Sequence, residues 1–163
     1  MSANPQFTTE QAGSTDDSMV TSTGDHLLLV VNAACKHADL AHLQKSLAAT
    51  CEVEPMFARG LLALQGPQAA AVLARLAPQV AAMKFMTGAF VVIDGARCYV
   101  TRSGYTGGDG YEISTPADAA GPIARKLLPL YNLYEVALGS SPWQNRLGTF
   151  LAAFGAKPDG EAE

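Results

Sequence analysis

Charge is scarce in this chain: 16% of its 163 residues are Asp, Glu, Lys or Arg, with 11 cationic and 15 anionic side chains. No segment gathers the basic ones, and a net charge of −4 offers little surface for a phosphate backbone, so nucleic acid is not an expected partner. Long apolar runs are missing as well. Segments such as Leu27 to Val31 are strand-sized, far short of the roughly 18 residues of a membrane helix, and no membrane is expected. Cysteine is limited to Cys35, Cys51 and Cys98, too few and too scattered for a disulfide framework or a zinc site, which favours a reducing compartment. Met1 to Gln11 has neither a basic nor an apolar stretch of the kind a signal peptide needs. His26, His37 and His42 share no ligand spacing; the latter two diverge by about 140° on a helix, and no metal is expected. The GxSxG, HExxH and CxxC patterns are absent.

What is present is apolar substance: 48% hydrophobic residues, enough for one ordinary core and too many for a disordered chain. Met1 to Gly13 has little to bury and is expected to be loose. Met19–Thr23 and His26–Asn32 read as strands joined through Gly24-Asp25. Leu40, Leu43 and Leu47 recur at helical spacing within Lys36–Ala49. Cys51–Phe57 alternates like a strand, and Gly60–Gln65 is a continuous apolar run, as a buried strand would be. Gly66-Pro67 predicts a helix start with Pro67 at the first helical position, running to about Leu76. Ala89–Ile93 and Cys98–Arg102 form a hairpin across Asp94-Gly95. Tyr111–Ser114 is a further strand. Thr115-Pro116-Ala117-Asp118 predicts a capped helix that ends near Pro129, with Leu133–Leu138 as a possible last strand. The sum is an α+β fold: antiparallel or mixed sheets with helices packed on one face. Residues 1–139 are expected to form one domain and residues 140–163 a divergent, flexible tail.

Two segments can carry chemistry. Asp16-Asp17 stands at the start of a strand, where adjacent side chains face opposite ways and only one can point into a given pocket; an ordinary turn or strand-start acid is the alternative. Arg102 to Glu112 is the densest polar and aromatic stretch, with four glycines, Tyr105 as a stacking face and Glu112 opening a strand. It lacks the pattern of a phosphate cradle, and a glycine-rich hairpin loop is the alternative.

Taken in order, AGSTDDSMVTST, DHLLLVVNAACKHADL, LLALQGPQAAAVL, KFMTGAF and CYVTRSGYTGGDGYEIS resemble the glycine-cleavage T-protein (aminomethyltransferase) family over roughly Phe7 to Leu128. The resemblance implies a ferredoxin-like folate-binding core. It implies an enzyme that moves a methylene group from the aminomethyl-lipoyl arm of a partner H-protein to tetrahydrofolate, releasing ammonia. It assigns Asp17 to the reacting folate nitrogen, Glu112 to the pterin N–H edge, and Asn32 and Tyr105 to the folate pocket, the four converging on one cavity. It also implies that counterparts of the family's N-terminal segment, its Gly-Ala-Arg-Asp segment and its C-terminal barrel are absent, so that the chain reads as a central slice with limited turnover, or alternatively as a folate-binding module without transfer chemistry or an inactive fragment of that family. The implied location is the cytoplasm, or the mitochondrial matrix in a eukaryote, although no transit peptide is seen.

Overall fold

The computed structural model describes residues 2–3, 6–8, 14–32, 34–103, 108–138 and 153–154, and the chain divides into two compact units, Met1–Phe57 and Ala58–Glu163. In the first unit, β3 (Ser14–Ser22) is the central strand. It pairs antiparallel with β1 (Ser2–Ala3), β2 (Gln6–Thr8) and β4 (Leu27–Val31). The segment expected to be loose therefore contains two short strands. Backbone pairing supplies what its polar side chains cannot, since each extended N–H and C=O on β3 needs a partner. The β3–β4 turn forms as predicted, with Gly24 at φ +112°, a conformation that glycine adopts without penalty. Helix α1 (Lys36–Leu47) follows. Cys51–Phe57 is not a strand but irregular and mostly exposed chain. Its alternation has no apolar face to bury, and Pro55 cannot donate to a ladder.

The second unit is a sheet in the order β6-β7-β8-β5-β9, antiparallel at every described pairing. Its strands are β5 (Arg59–Gln65), β6 (Thr87–Ile93), β7 (Ala96–Arg102), β8 (Gly110–Pro116) and β9 (Ala153–Phe154). Alternation decides the layering. Leu62 and Leu64, Val91 and Ile93, Cys98 and Val100, and Tyr111 and Ile113 all point to one side. There they meet Val72 and Leu73 of α2 (Ala69–Leu73) and Ala120, Ile123 and Leu127 of α3 (Ala117–Leu138) in a closed core. The helices thus cover one face, as expected. The β6–β7 hairpin turns on Asp94 (φ +52°) and Gly95 (φ +80°), the pair of left-handed residues that a type I′ turn requires.

Three helix boundaries differ from expectation. Gly66 is left-handed (φ +115°) and accepts a turn bond from Ala69 N; Pro67 therefore lies in the turn, and α2 begins two residues later and ends at Leu73, before a separate 3-10 turn over Pro78–Ala82. Thr115 does not cap α3: β8 runs on to Pro116, opposite Arg59, and the fully buried Thr115 hydroxyl has no hydrogen-bond partner among the described residues. Helix α3 continues through Pro122 and Pro129 to Leu138, so Leu133–Leu138 is helical and not a strand. Packing of the Ala120, Ile123 and Leu127 face outweighs the local cost of proline. Of the expected tail, only Ala153–Phe154 is described, as β9. No helix among the described residues is long and apolar enough to cross a membrane.

Candidate functional site

The face of the second sheet turned away from the helices carries the polar residues. On β7 and β8, Thr101 and Glu112 are cross-strand partners, and Ser103, two residues on from Thr101, shares their face. All three are buried, at 5%, 7% and 2% exposure for Thr101, Glu112 and Ser103. Ser103 Oγ donates to Glu112 Oε2 at 3.3 Å and lies 2.9 Å from Thr101 Oγ1. Burial pushes the Glu112 carboxyl above the usual carboxylate range, and the Ser103 and Thr101 hydroxyls oppose that shift. Among the described residues the ion pairs are His26–Asp25, Arg102–Asp109 and Lys126–Asp94, and none involves Glu112. A buried carboxylate held by hydroxyls and paired with no described cation is an acceptor suited to a ligand with two adjacent N–H donors.

The ends of the glycine-rich segment are pinned to the rest of the sheet. Arg102 grips Asp109 through both carboxylate oxygens (2.9 and 2.6 Å) and also donates to the Met83 carbonyl at 2.7 Å. This contact holds the Asp109 carboxyl below the usual range. Gln65, the last residue of β5, reaches the Ser103 and Tyr111 carbonyls at 3.4 and 3.5 Å. Its amide lies directly over Gly110: a Cβ built there would meet Gln65 Nε2 at 2.7 Å. Gly110 is therefore glycine to let Gln65 cross, a role that composition alone does not reveal. Tyr105, between these anchors, falls outside the described residues.

In the first unit, Asp17 lies on β3 opposite Gln6, beside a register shift between Phe7 and Thr8. The β3–β4 ladder ends with Ser18 opposite Val31, and Asp17 and Asn32 are the residues that adjoin this last pair in sequence. Asn32 is half-buried, and its carbonyl accepts from Cys35 N at 3.1 Å. A shallow depression beside the end of α1, lined by Gln44, Thr50, Cys51 and Val53 among others, contains none of these residues. Among the described residues no three His, Cys, Asp or Glu side chains gather in a way that could hold a metal ion.

Sequence reasoning missed Thr101, and it named Ser103 and Gln65 only as parts of their segments. Their signal was available in part. Thr101 and Ser103 have the i, i+2 spacing of one strand face, but pairing them with Glu112 requires the register across a loop whose geometry the sequence does not give.

Comparison with known proteins places this arrangement. The chain is 47% identical over 131 residues to the mitochondrial aminomethyltransferase of Solanum tuberosum, covering 75% of this chain and 32% of that protein. It is 36% identical over 139 residues to a probable mitochondrial aminomethyltransferase of Schizosaccharomyces pombe, covering 82% of this chain and 36% of that one. The crystal structure of glycine cleavage system aminomethyltransferase T from Bartonella henselae superposes with a TM-score of 0.70 at 41% identity, over 78% of this chain and 35% of that one. The chain thus spans about a third of the length of the relatives it matches. The model of the GCVT N-terminal domain matches residues 5–137, and the chain belongs to that family.

Proposed function

We propose that this chain carries the folate-binding part of a glycine cleavage aminomethyltransferase, in which a methylene group passes from an aminomethyl-lipoyl arm on a partner H-protein to tetrahydrofolate, with release of ammonia. The observation that carries this reading is Glu112, a buried carboxylate held by hydroxyls on a rigid strand. A pterin presents an amide N–H beside an amino group, and one carboxylate accepts both. The names of the relatives, which are aminomethyltransferases, support the same chemistry.

In this reading Glu112 fixes the pterin, Tyr105 and Asn32 contribute further contacts to folate, and Asp17 acts at the reacting nitrogen. Transfer builds positive charge on an iminium-like carbon, and a fixed carboxylate aimed at it stabilises the transition state more than the ground state. Asp16, its neighbour on β3, is given no role. In a eukaryotic source the setting would be the mitochondrion, as the names of the plant and yeast relatives have it, and within it the matrix; in a bacterium it would be the cytoplasm.

The experiment supplies aminomethyl-lipoyl H-protein and tetrahydrofolate to the wild type and to Asp17→Asn and Asp16→Asn, following ammonia and 5,10-methylenetetrahydrofolate. The expected result is transfer that falls about 10²–10³-fold in Asp17→Asn and little in Asp16→Asn. Folate binding without transfer in the wild type would make the chain a binding module. Damage from Asp16→Asn alone would reduce Asp17 to an ordinary strand-start acid.

A further inference from the structure

We propose that Thr101 and Ser103 are positioning residues for Glu112, a two-hydroxyl chain that fixes the orientation of its carboxylate toward the ligand's N–H edge. This rests on the reading of Glu112 as the ligand's acceptor. Each hydroxyl has one proton to give, and an ionised carboxylate has none. The Ser103 proton goes to Glu112 Oε2 at 3.3 Å. Either hydroxyl could donate across the 2.9 Å contact between Ser103 Oγ and Thr101 Oγ1; with Glu112 ionised and the Ser103 proton on Oε2, the donor there is Thr101. The bonds run in one direction, Thr101 to Ser103 to Glu112, and bonds aligned head to tail in a buried site reinforce one another. An ionised carboxylate oxygen accepts more than one bond, so Oε2 takes Ser103 and still shares in a bidentate grip on the ligand.

The surroundings leave this task to the hydroxyls. The cross-strand neighbours of Glu112 are Ala63 on β5 and Thr101 on β7. Strand alternation puts Arg59, Arg97 and Tyr99 on the same face as the titratable groups of the adjoining strands. Arg59 is engaged with the Ser114 hydroxyl and carbonyl at 2.8 and 2.7 Å. Arg97 lies over the Phe90 ring, 4.1 Å from its centroid. Tyr99 packs edge-on against Phe90, and burial raises its own hydroxyl above the usual phenol range. Arg102 and Asp109, at the loop ends, are bound to each other. Removing Ser103 Oγ therefore leaves the buried carboxylate short of a donor that no described cation replaces.

The test titrates the Glu112 carboxyl by carbon NMR in the ligand-free chain and measures tetrahydrofolate affinity against pH. It uses the wild type, Ser103→Ala, Thr101→Val and Ser103→Thr. Ser103→Ala is expected to raise the carboxyl midpoint by about one pH unit, the tenfold change that losing a hydrogen bond to a charged group brings. Folate affinity should weaken about tenfold, its acid limb moving up in step with the midpoint. Thr101→Val, nearly the same shape, should move both in the same direction by less, and Ser103→Thr, which keeps a hydroxyl, should restore both. An unmoved Glu112 midpoint in Ser103→Ala and Thr101→Val overturns the proposal, and Thr101→Val alone decides it if Ser103→Ala does not fold. A midpoint that moves in a chain that takes up no tetrahydrofolate at any pH supports the hydroxyl chain and overturns the folate reading.

Discussion

Gly110→Ala is a small change with a cost that the structure locates. The added methyl would lie 2.5 Å from Gln65 Cδ and 2.7 Å from Nε2, closer than such atoms approach one another. Gln65 is only 4% exposed, so its amide cannot swing into water without opening the end of the β5–β8 ladder. Two terms add. The amide loses its bonds to the Ser103 and Tyr111 carbonyls, long at 3.4 and 3.5 Å, and each is worth at most the low end of the ~0.5–1.5 kcal/mol of a buried hydrogen bond. Crowding a packed site costs a further ~1–3 kcal/mol. The expected loss is about 2–3 kcal/mol. Urea unfolding followed by circular dichroism reads this as a midpoint lowered by about 1 M at an m-value near 2 kcal/mol/M, with the slope unchanged. Gly108→Ala is the control from the same segment, because its added Cβ meets nothing within 4 Å and should cost less than about 0.5 kcal/mol. In a Gln65→Ala background the Gly110→Ala penalty should fall below about 1 kcal/mol, since contacting residues are not additive. Equal midpoints for Gly110→Ala and Gly108→Ala, or a penalty undiminished in the double variant, would refute the reasoning.

Three further outcomes are expected. Tyr111→Phe removes a buried bond of 3.1 Å to the Val80 carbonyl. That carbonyl keeps its bond from Met83 N, so the loss measured by denaturation should stay near ~0.5–1.5 kcal/mol. Asp109 has its carboxyl lowered by Arg102, so its contribution is present above the ordinary carboxylate range and is lost as pH falls through the depressed value. Asp109→Asn should cost about 1 kcal/mol at neutral pH, partial exposure of the pair limiting the effect, and the gap to wild type should close in acid. Glu112 has the opposite sign. Its raised carboxyl favours the fold below the ordinary range, and that contribution is lost as pH rises through the raised value. Glu112→Gln should therefore be more stable than the wild type at neutral pH and lose that advantage in acid, as thermal melts across pH would show.

Individual strands and turns of the second unit were legible wherever the side-chain pattern and the turn chemistry agreed, whereas the strand order was not. The Asp94-Gly95 hairpin, the Gly60–Gln65 strand and the Leu40, Leu43 and Leu47 helix emerge as predicted, within a residue or two at their ends. The errors cluster at proline. Pro67 and Pro116 were read as helix starters, yet one lies in a turn and the other ends a strand, and Pro129 does not stop α3. A proline fixes its own φ and the bias of its neighbour, whereas tertiary packing decides which element uses that φ. Cys51–Phe57 shows that alternation without a partner strand does not make a ladder. For the candidate site, Glu112 stands in a segment distinctive enough to be singled out from sequence. The hydroxyls that hold it and the amide that crosses Gly110 depend on cross-strand register, which no local pattern encodes.

Under the proposed function, Glu112 is the acceptor for the pterin edge of tetrahydrofolate. Titration of tetrahydrofolate into the wild-type chain and Glu112→Gln by calorimetry tests it most directly, with folding of both checked by circular dichroism. The account predicts saturable binding by the wild type and at least ~10-fold weaker binding by a folded Glu112→Gln, the loss expected when a charged acceptor of a bidentate pair is replaced by a neutral one. Equal affinity of the two folded proteins would contradict it.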